Sequence, residues 1–154
     1  VGADNPALHA KALSYRVENG AWALQIPPAA TVGDGAVLTT LDDWKKWNRA
    51  MVGSFPEVVT KKDLTLMHTQ VTLDNGKPIN RGLGIYINSD GHLQYIGEGE
   101  ETGYHSIYVR LPGKNFGFAL FSNGTFEWNK LYAVVRRMVR PYIGQESADI
   151  LDLG

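Results

Sequence analysis

Chemistry in this chain is concentrated in the run Gly97-Glu98-Gly99-Glu100-Glu101-Thr102-Gly103-Tyr104-His105. His105 brings an imidazole, a side chain that as the neutral ring can accept or pass a proton. A histidine opening a strand is more often simply a half-buried hydrogen-bonding side chain, and the proton-handling role stands as the alternative. Glu98, Glu100 and Glu101 offer carboxylates, but a hard cation needs six or so oxygen ligands, and glutamates at this spacing on one turn do not converge. The expected reading is a solvated acidic loop, with no metal and no cofactor. Tyr104 follows Gly103, a residue that permits close backbone approach, which makes Tyr104 the best candidate for a ligand contact. Gly97-x-Gly99-x-x-x-Gly103 lacks both the spacing and the following helix of a dinucleotide fingerprint.

These residues must be held by what lies around them. Tyr95 to Asn123 reads as a strand, the glycine-rich acidic loop, and two strands joined at Pro112-Gly113-Lys114-Asn115. Ile107, Val109 and Leu111 alternate with Ser106, Tyr108 and Arg110, which predicts one buried and one more polar face. Phe116 to Phe121 is almost wholly apolar, as in a central strand covered on both sides. Before it, Leu83, Ile85 and Ile87 alternate, Ser89-Asp90-Gly91 turns the chain, and Leu93 to Ile96 returns it. Leu13–Val17 and Ala21–Ile26 flank Asn19-Gly20, a strong hairpin signal, and Pro27-Pro28 ends the pairing.

Helices are announced by their caps. Thr40 precedes Asp42 and Asp43, and Leu41, Trp44, Trp47 and Met51 recur at helical spacing up to Gly53. Thr60 and Asp63 repeat the pattern for a short helix with Leu64, Met67 and Leu66 on its apolar side. A long helix follows from about Phe126 to Tyr142, with Trp128, Leu131, Val134, Val135, Met138 and Tyr142 as its buried stripe and Pro141 and Gly144 as its stop. His68 and His92 read as surface residues, and Trp22, Trp44 and Trp47 as core. The order is helices, antiparallel meander, then one packed helix, which is α+β rather than βαβ. Residues 1–11 read as a lead-in and 145–154 as a tail.

The 154 residues carry a formal net charge of -1, so no long-range field points to nucleic acid or anionic lipid. No apolar run approaches the ~20 residues of a membrane span. The absence of cysteine removes disulfides and thiol chemistry and is compatible with any compartment.

Three ordered segments, covering roughly residues 12 to 140, resemble the C-terminal half of the serine β-lactamase and penicillin-binding-protein-like hydrolases. Gly33-Asp34-Gly35 running into Thr39-Thr40-Leu41-Asp42-Asp43-Trp44-Lys45-Lys46-Trp47 is similar to the family's rim helix. Leu73-Asp74-Asn75-Gly76 followed by Arg81-Gly82-Leu83-Gly84-Ile85 resembles its entry into the sheet. Tyr95 to Asn123 resembles its third active-site strand and the hairpin after it. The resemblance implies acyl-enzyme chemistry on ester, amide or β-lactam bonds, with a Ser-x-x-Lys nucleophile and a Tyr-x-Asn-like element. No serine here stands three residues before a lysine, so residues 12–144 read as the C-terminal portion of such a domain, with no catalytic residue in this chain. Val1 opening without methionine fits an excised piece, and a periplasmic or secreted bacterial location is the preference that goes with it.

One departure matters. Gly97-Glu98-Gly99 stands where the resemblance implies Lys-Thr-Gly or His-x-Gly, so the cation or imidazole is replaced by glycine, and Glu98 opposes carboxylate-bearing ligands. The implied substrate-binding residues are Gly97, Glu98, Gly99, Gly103, Tyr104 and His105. The implied partners are the missing N-terminal part of the domain or a second copy, beside a small-molecule or peptide substrate. The rival reading is a non-catalytic module that binds a peptide or small ligand by strand addition beside Leu93–Ile96. A third is an unrelated small α+β domain.

Overall fold

The computed structural model describes residues 11–26, 37–88, 94–101, 103–114 and 116–144; for residues 88, 94–98, 100 and 101 it is the backbone that is described. The lead-in before Lys11, Pro27-Pro28, Gly33-Asp34-Gly35, Ser89-Asp90-Gly91, His92, Leu93 and the 145–154 tail lie outside them.

The chain is α+β, built of small antiparallel sheets and helices. Strands β1 (Ser14–Glu18) and β2 (Ala21–Gln25) form a hairpin in which Asn19 and Gly20 both take positive φ, 51° and 80°, as a two-residue turn of this hand demands. Helix α1 (Leu41–Ala50) starts where the Thr40 side chain accepts the Asp43 amide. Helix α2 (Lys61–Met67) starts in a full capping box, Thr60 and Asp63 each accepting the other's backbone N–H. Strands β3 (Tyr86–Asn88), β4 (Gln94–Glu101), β5 (Tyr104–Leu111) and β6 (Phe116–Ser122) form one antiparallel sheet in that order, and helix α3 (Trp128–Ile143) follows.

The acidic run is not a loop. Gly97 to Glu101 belongs to β4, paired residue for residue with β5 from Gly97↔Tyr108 to Glu101↔Tyr104. Gly103, at φ +78°, turns the chain tightly enough that the ladder closes right up to Glu101. Likewise β6 is not central: among the described residues it is the outer strand next to β5. Its apolar run has another cause. Phe116, Phe118 and Leu120 pack on the α3 core, while Gly117 and Phe121 lie against Asn48 and Trp44 of α1.

The main core lies between β5 and α3. Ile107, Val109 and Leu111 meet Leu131, Val135, Val139 and Ile143. Full burial of each such side chain stabilises by roughly 1.5–3 kcal/mol. The observed stripe of α3 is therefore rotated from the expected one. Leu131 and Val135 are buried as expected, but Val134, Met138 and Tyr142 are 47%, 49% and 75% exposed. The helix also runs through Pro141, expected to help stop it, and ends at Gly144 (φ +68°), where the left-handed backbone favours glycine. A second cluster, Ala50, Met51 and Val59 with Phe55, Leu64 and Met67, joins α1 to α2. Leu41, Trp47 and Leu66, expected on buried faces, are exposed, as is Trp22. His68, expected at the surface, is half-buried. Among the described residues no helix is long and apolar enough to cross a membrane.

Candidate functional site

Strand alternation divides the expected site residues between two faces. Directly opposed residues of an antiparallel pair share a face. Gly97, Gly99 and Glu101 therefore lie at positions shared with Tyr108, Ser106 and Tyr104, on the side away from α3. Glu98 and Glu100 lie at positions opposite Ile107 and His105, on the α3 side. The structure thus brings Gly97, Gly99 and Tyr104 to one face and puts Glu98 and His105 on the other.

His105 sits under α3. It is 1% exposed and stands edge-on to Trp128, with ring centroids 4.8 Å apart. Gly103 is buried against β1: a Cβ there would lie 3.0 Å from Ser14 Cβ and 3.1 Å from the Tyr15 carbonyl oxygen. Tyr104 spans the same junction, its hydroxyl donating to the Ala12 carbonyl at 2.6 Å. Tyr15 completes the junction by donating its amide to Asn123 O at 2.8 Å and accepting from the Thr125 amide at 3.0 Å. Gly103 and Tyr104 join the hairpin to the sheet.

The Gly97–Gly99 face has another set of neighbours. On β5, Ser106, Tyr108 and Arg110 line it, half-buried. A Cβ on Gly99 would come 3.3 Å from Ser106 Oγ, so the two glycines leave a side-chain-free strip beside a hydroxyl. Helix α1 roofs the far side of this row. Trp44 stands edge-on to Tyr108 at 5.7 Å and to Phe121 at 6.4 Å. A Cβ on Gly117 would be 2.9 Å from Asn48 Oδ1, so Gly117 is what lets α1 approach. Arg110 Nη1 donates to the Met51 carbonyl at 2.6 Å, meeting the negative end of α1 with a cation.

Electrostatics follow from burial and from Arg110. Burial pushes the Tyr108 phenol above its ordinary value, with the Arg110 charge and hydrogen bond opposing. Burial holds the His68 imidazole below its ordinary value, and the Arg110 charge acts in the same direction.

Strand β4 also has an unpaired margin. β3 pairs only with Gln94, Tyr95 and Ile96, so among the described residues nothing pairs with the outer edge of Gly97–Glu101. The edge beside Ile96, expected to be open for strand addition, is thus occupied by β3, and the open edge lies further along the strand. Its backbone N–H and C=O groups can take an extended ligand, and the bare glycine strip lets that ligand lie close. Sequence reasoning saw Ser106, Tyr108 and Arg110 as a polar face without connecting them to the glycines. The missing link was the register, since Gly97 and Gly99 share their side only once β4 is known to be a strand. No protein-family model, curated protein or solved structure matches this chain.

Proposed function

We propose that this chain is the C-terminal portion of a serine β-lactamase-like hydrolase, with β4 forming one wall of the cleft for an ester, amide or β-lactam substrate. No serine among these 154 residues stands three before a lysine, so this reading needs the nucleophile and its lysine to be supplied by another segment. The observation that supports this is the Gly97–Glu101 stretch of β4: glycines on one face, an edge that no described residue pairs, and Ser106, Tyr108 and Arg110 alongside. Such a strand can pair with the backbone-like atoms of an acyl substrate and hold its carbonyl in line for attack. The Val134, Met138 and Tyr142 row left exposed on α3 fits a domain whose remaining part packs there.

The absence of a cation at Gly97 favours a second reading, a non-catalytic module that binds an extended peptide along the same edge. Exposing the protein, extended upstream of Val1, to a fluorophosphonate or penicillin probe separates them. A covalent adduct by intact mass is expected from a hydrolase. A folded protein that forms no adduct, yet loses peptide binding on Gly99→Val, is the binding module.

A further inference from the structure

The β1–β2 hairpin divides its side chains cleanly. In the observed register Tyr15 pairs with Leu24 and Val17 with Trp22, so these share one face, and Leu13 and Ile26 extend the same row. Every one of these residues is apolar or aromatic. The other face holds Ser14, Arg16, Glu18, Ala21, Ala23 and Gln25, where Arg16 and Gln25 both donate to the Glu18 carboxylate. All the charge of the hairpin strands is therefore gathered on one side.

The apolar side is open. Leu13, Val17, Trp22, Leu24 and Ile26 are 50%, 55%, 56%, 52% and 84% exposed. At ~200 Å² for a whole large side chain, this leaves roughly 600 Å² of apolar surface. That is at the top of the range for the largest patch of an ordinary monomer, about 300–600 Å², a patch that is often functional. Trp22 is also fixed in place: its ring meets Phe126 edge-on at 6.1 Å and lies 3.1 Å from where a Gly124 Cβ would be. A rigid, half-exposed tryptophan at the centre of an apolar face is the usual anchor of an interface.

We infer that this face is a self-association surface, on which a second copy of the chain packs its own hairpin about a two-fold axis. Three observations favour a copy over another occupant. An uncharged face offers no electrostatic recognition to a charged partner, whereas a two-fold brings the same apolar row of each copy against the other. A formal net charge of -1 leaves little repulsion between copies. The patch, doubled, reaches about 1,200 Å², the lower end of a specific interface, so the dimer is a weak one. Two sheets meeting face to face would place Trp22 of each copy against the partner hairpin, about 10 Å between backbones.

Sedimentation velocity on the whole chain from about 1 µM to about 500 µM tests this, since a weak interface dissociates in that range. A monomer passing to a species of twice its mass is expected. Leu24→Lys and Ile26→Lys should each move the midpoint upward by about tenfold or more. Ile26 is so exposed that its substitution leaves the fold intact, checked by circular dichroism. A chain that stays monomeric throughout overturns the inference. So does a dimer that survives both substitutions, or one dispersed by Met138→Lys on α3 instead. Loss of probe reactivity leaves this result untouched, because the hairpin face and the β4 edge are different surfaces.

Discussion

Gly103→Ala is the substitution whose cost the structure fixes best, because a matched control exists in the same chain. Gly103 and Gly20 hold almost the same backbone, φ +78° and +80°. An alanine at either position bears the left-handed penalty of about 1–2 kcal/mol. Around Gly20 a new methyl meets nothing within 4 Å, so the penalty stands alone. At Gly103 the methyl would lie 3.0 Å from Ser14 Cβ and 3.1 Å from Tyr15 O. Neither neighbour can give easily. Ser14 is buried and paired with Gln25, and Tyr15 is hydrogen-bonded to Asn123 and Thr125. Overpacking of this kind adds about 1–3 kcal/mol. At ~2–4 °C per kcal/mol for a chain of this size, Gly20→Ala should lower Tm by about 3–5 °C and Gly103→Ala by about twice that. Differential scanning calorimetry of both variants and of Ser14→Gly/Gly103→Ala makes the comparison. The double variant removes one of the two contacts and should recover part of the loss, a coupling visible in the cycle. Equal losses for Gly20→Ala and Gly103→Ala would refute the claim that the hairpin is seated on the β4–β5 turn.

Two further predictions follow from single groups. Val139→Ala, at a fully buried position, should cost about 2–3 kcal/mol, whereas Val134→Ala, 47% exposed on the adjacent row of α3, should stay within about 0.5 kcal/mol; urea denaturation checks both. His68, held below its ordinary value of 6.5 first by burial and then by Arg110, contributes stability that is complete above pH 6.5 and is lost as pH falls through its folded value. Proton NMR of its ring should show the midpoint rising toward 6.5 in Arg110→Met but not in Arg110→Lys, and an unchanged midpoint in both removes Arg110 as a cause.

What was legible in the sequence was legible because it is local. Thr40 with Asp43 and Thr60 with Asp63 mark helix starts through atoms three residues apart, and both helices begin where those caps stand. Asn19-Gly20 sets the hairpin by its own backbone preference. The α3 stripe failed for the opposite reason. Both Val134 and Val135 are apolar, and periodicity alone admits either row as the buried one; contact with Ile107, Val109 and Leu111 is what selects Leu131, Val135, Val139 and Ile143. The acidic run misled through composition, since glycine and glutamate are poor strand formers and only pairing with β5 holds them extended.

That pairing changes what the glycines are for. In a loop, Gly97 and Gly99 would serve turning, and their replacement by larger residues would disturb only the local backbone. In a strand whose ladder is already satisfied on the β5 side, Gly99 does not take positive φ, and among the described residues a Cβ there would meet only Ser106 Oγ, at 3.3 Å. The fold does not require glycine at Gly99, and a strand interior is a place where glycine costs stability. Gly99→Val should therefore be neutral or stabilising in thermal unfolding, while it fills the strip beside the unpaired edge and abolishes ligand or probe engagement there. A loss of stability together with unchanged engagement would mean that the glycines serve the backbone, and the proposed role of β4 as a cleft wall would fall.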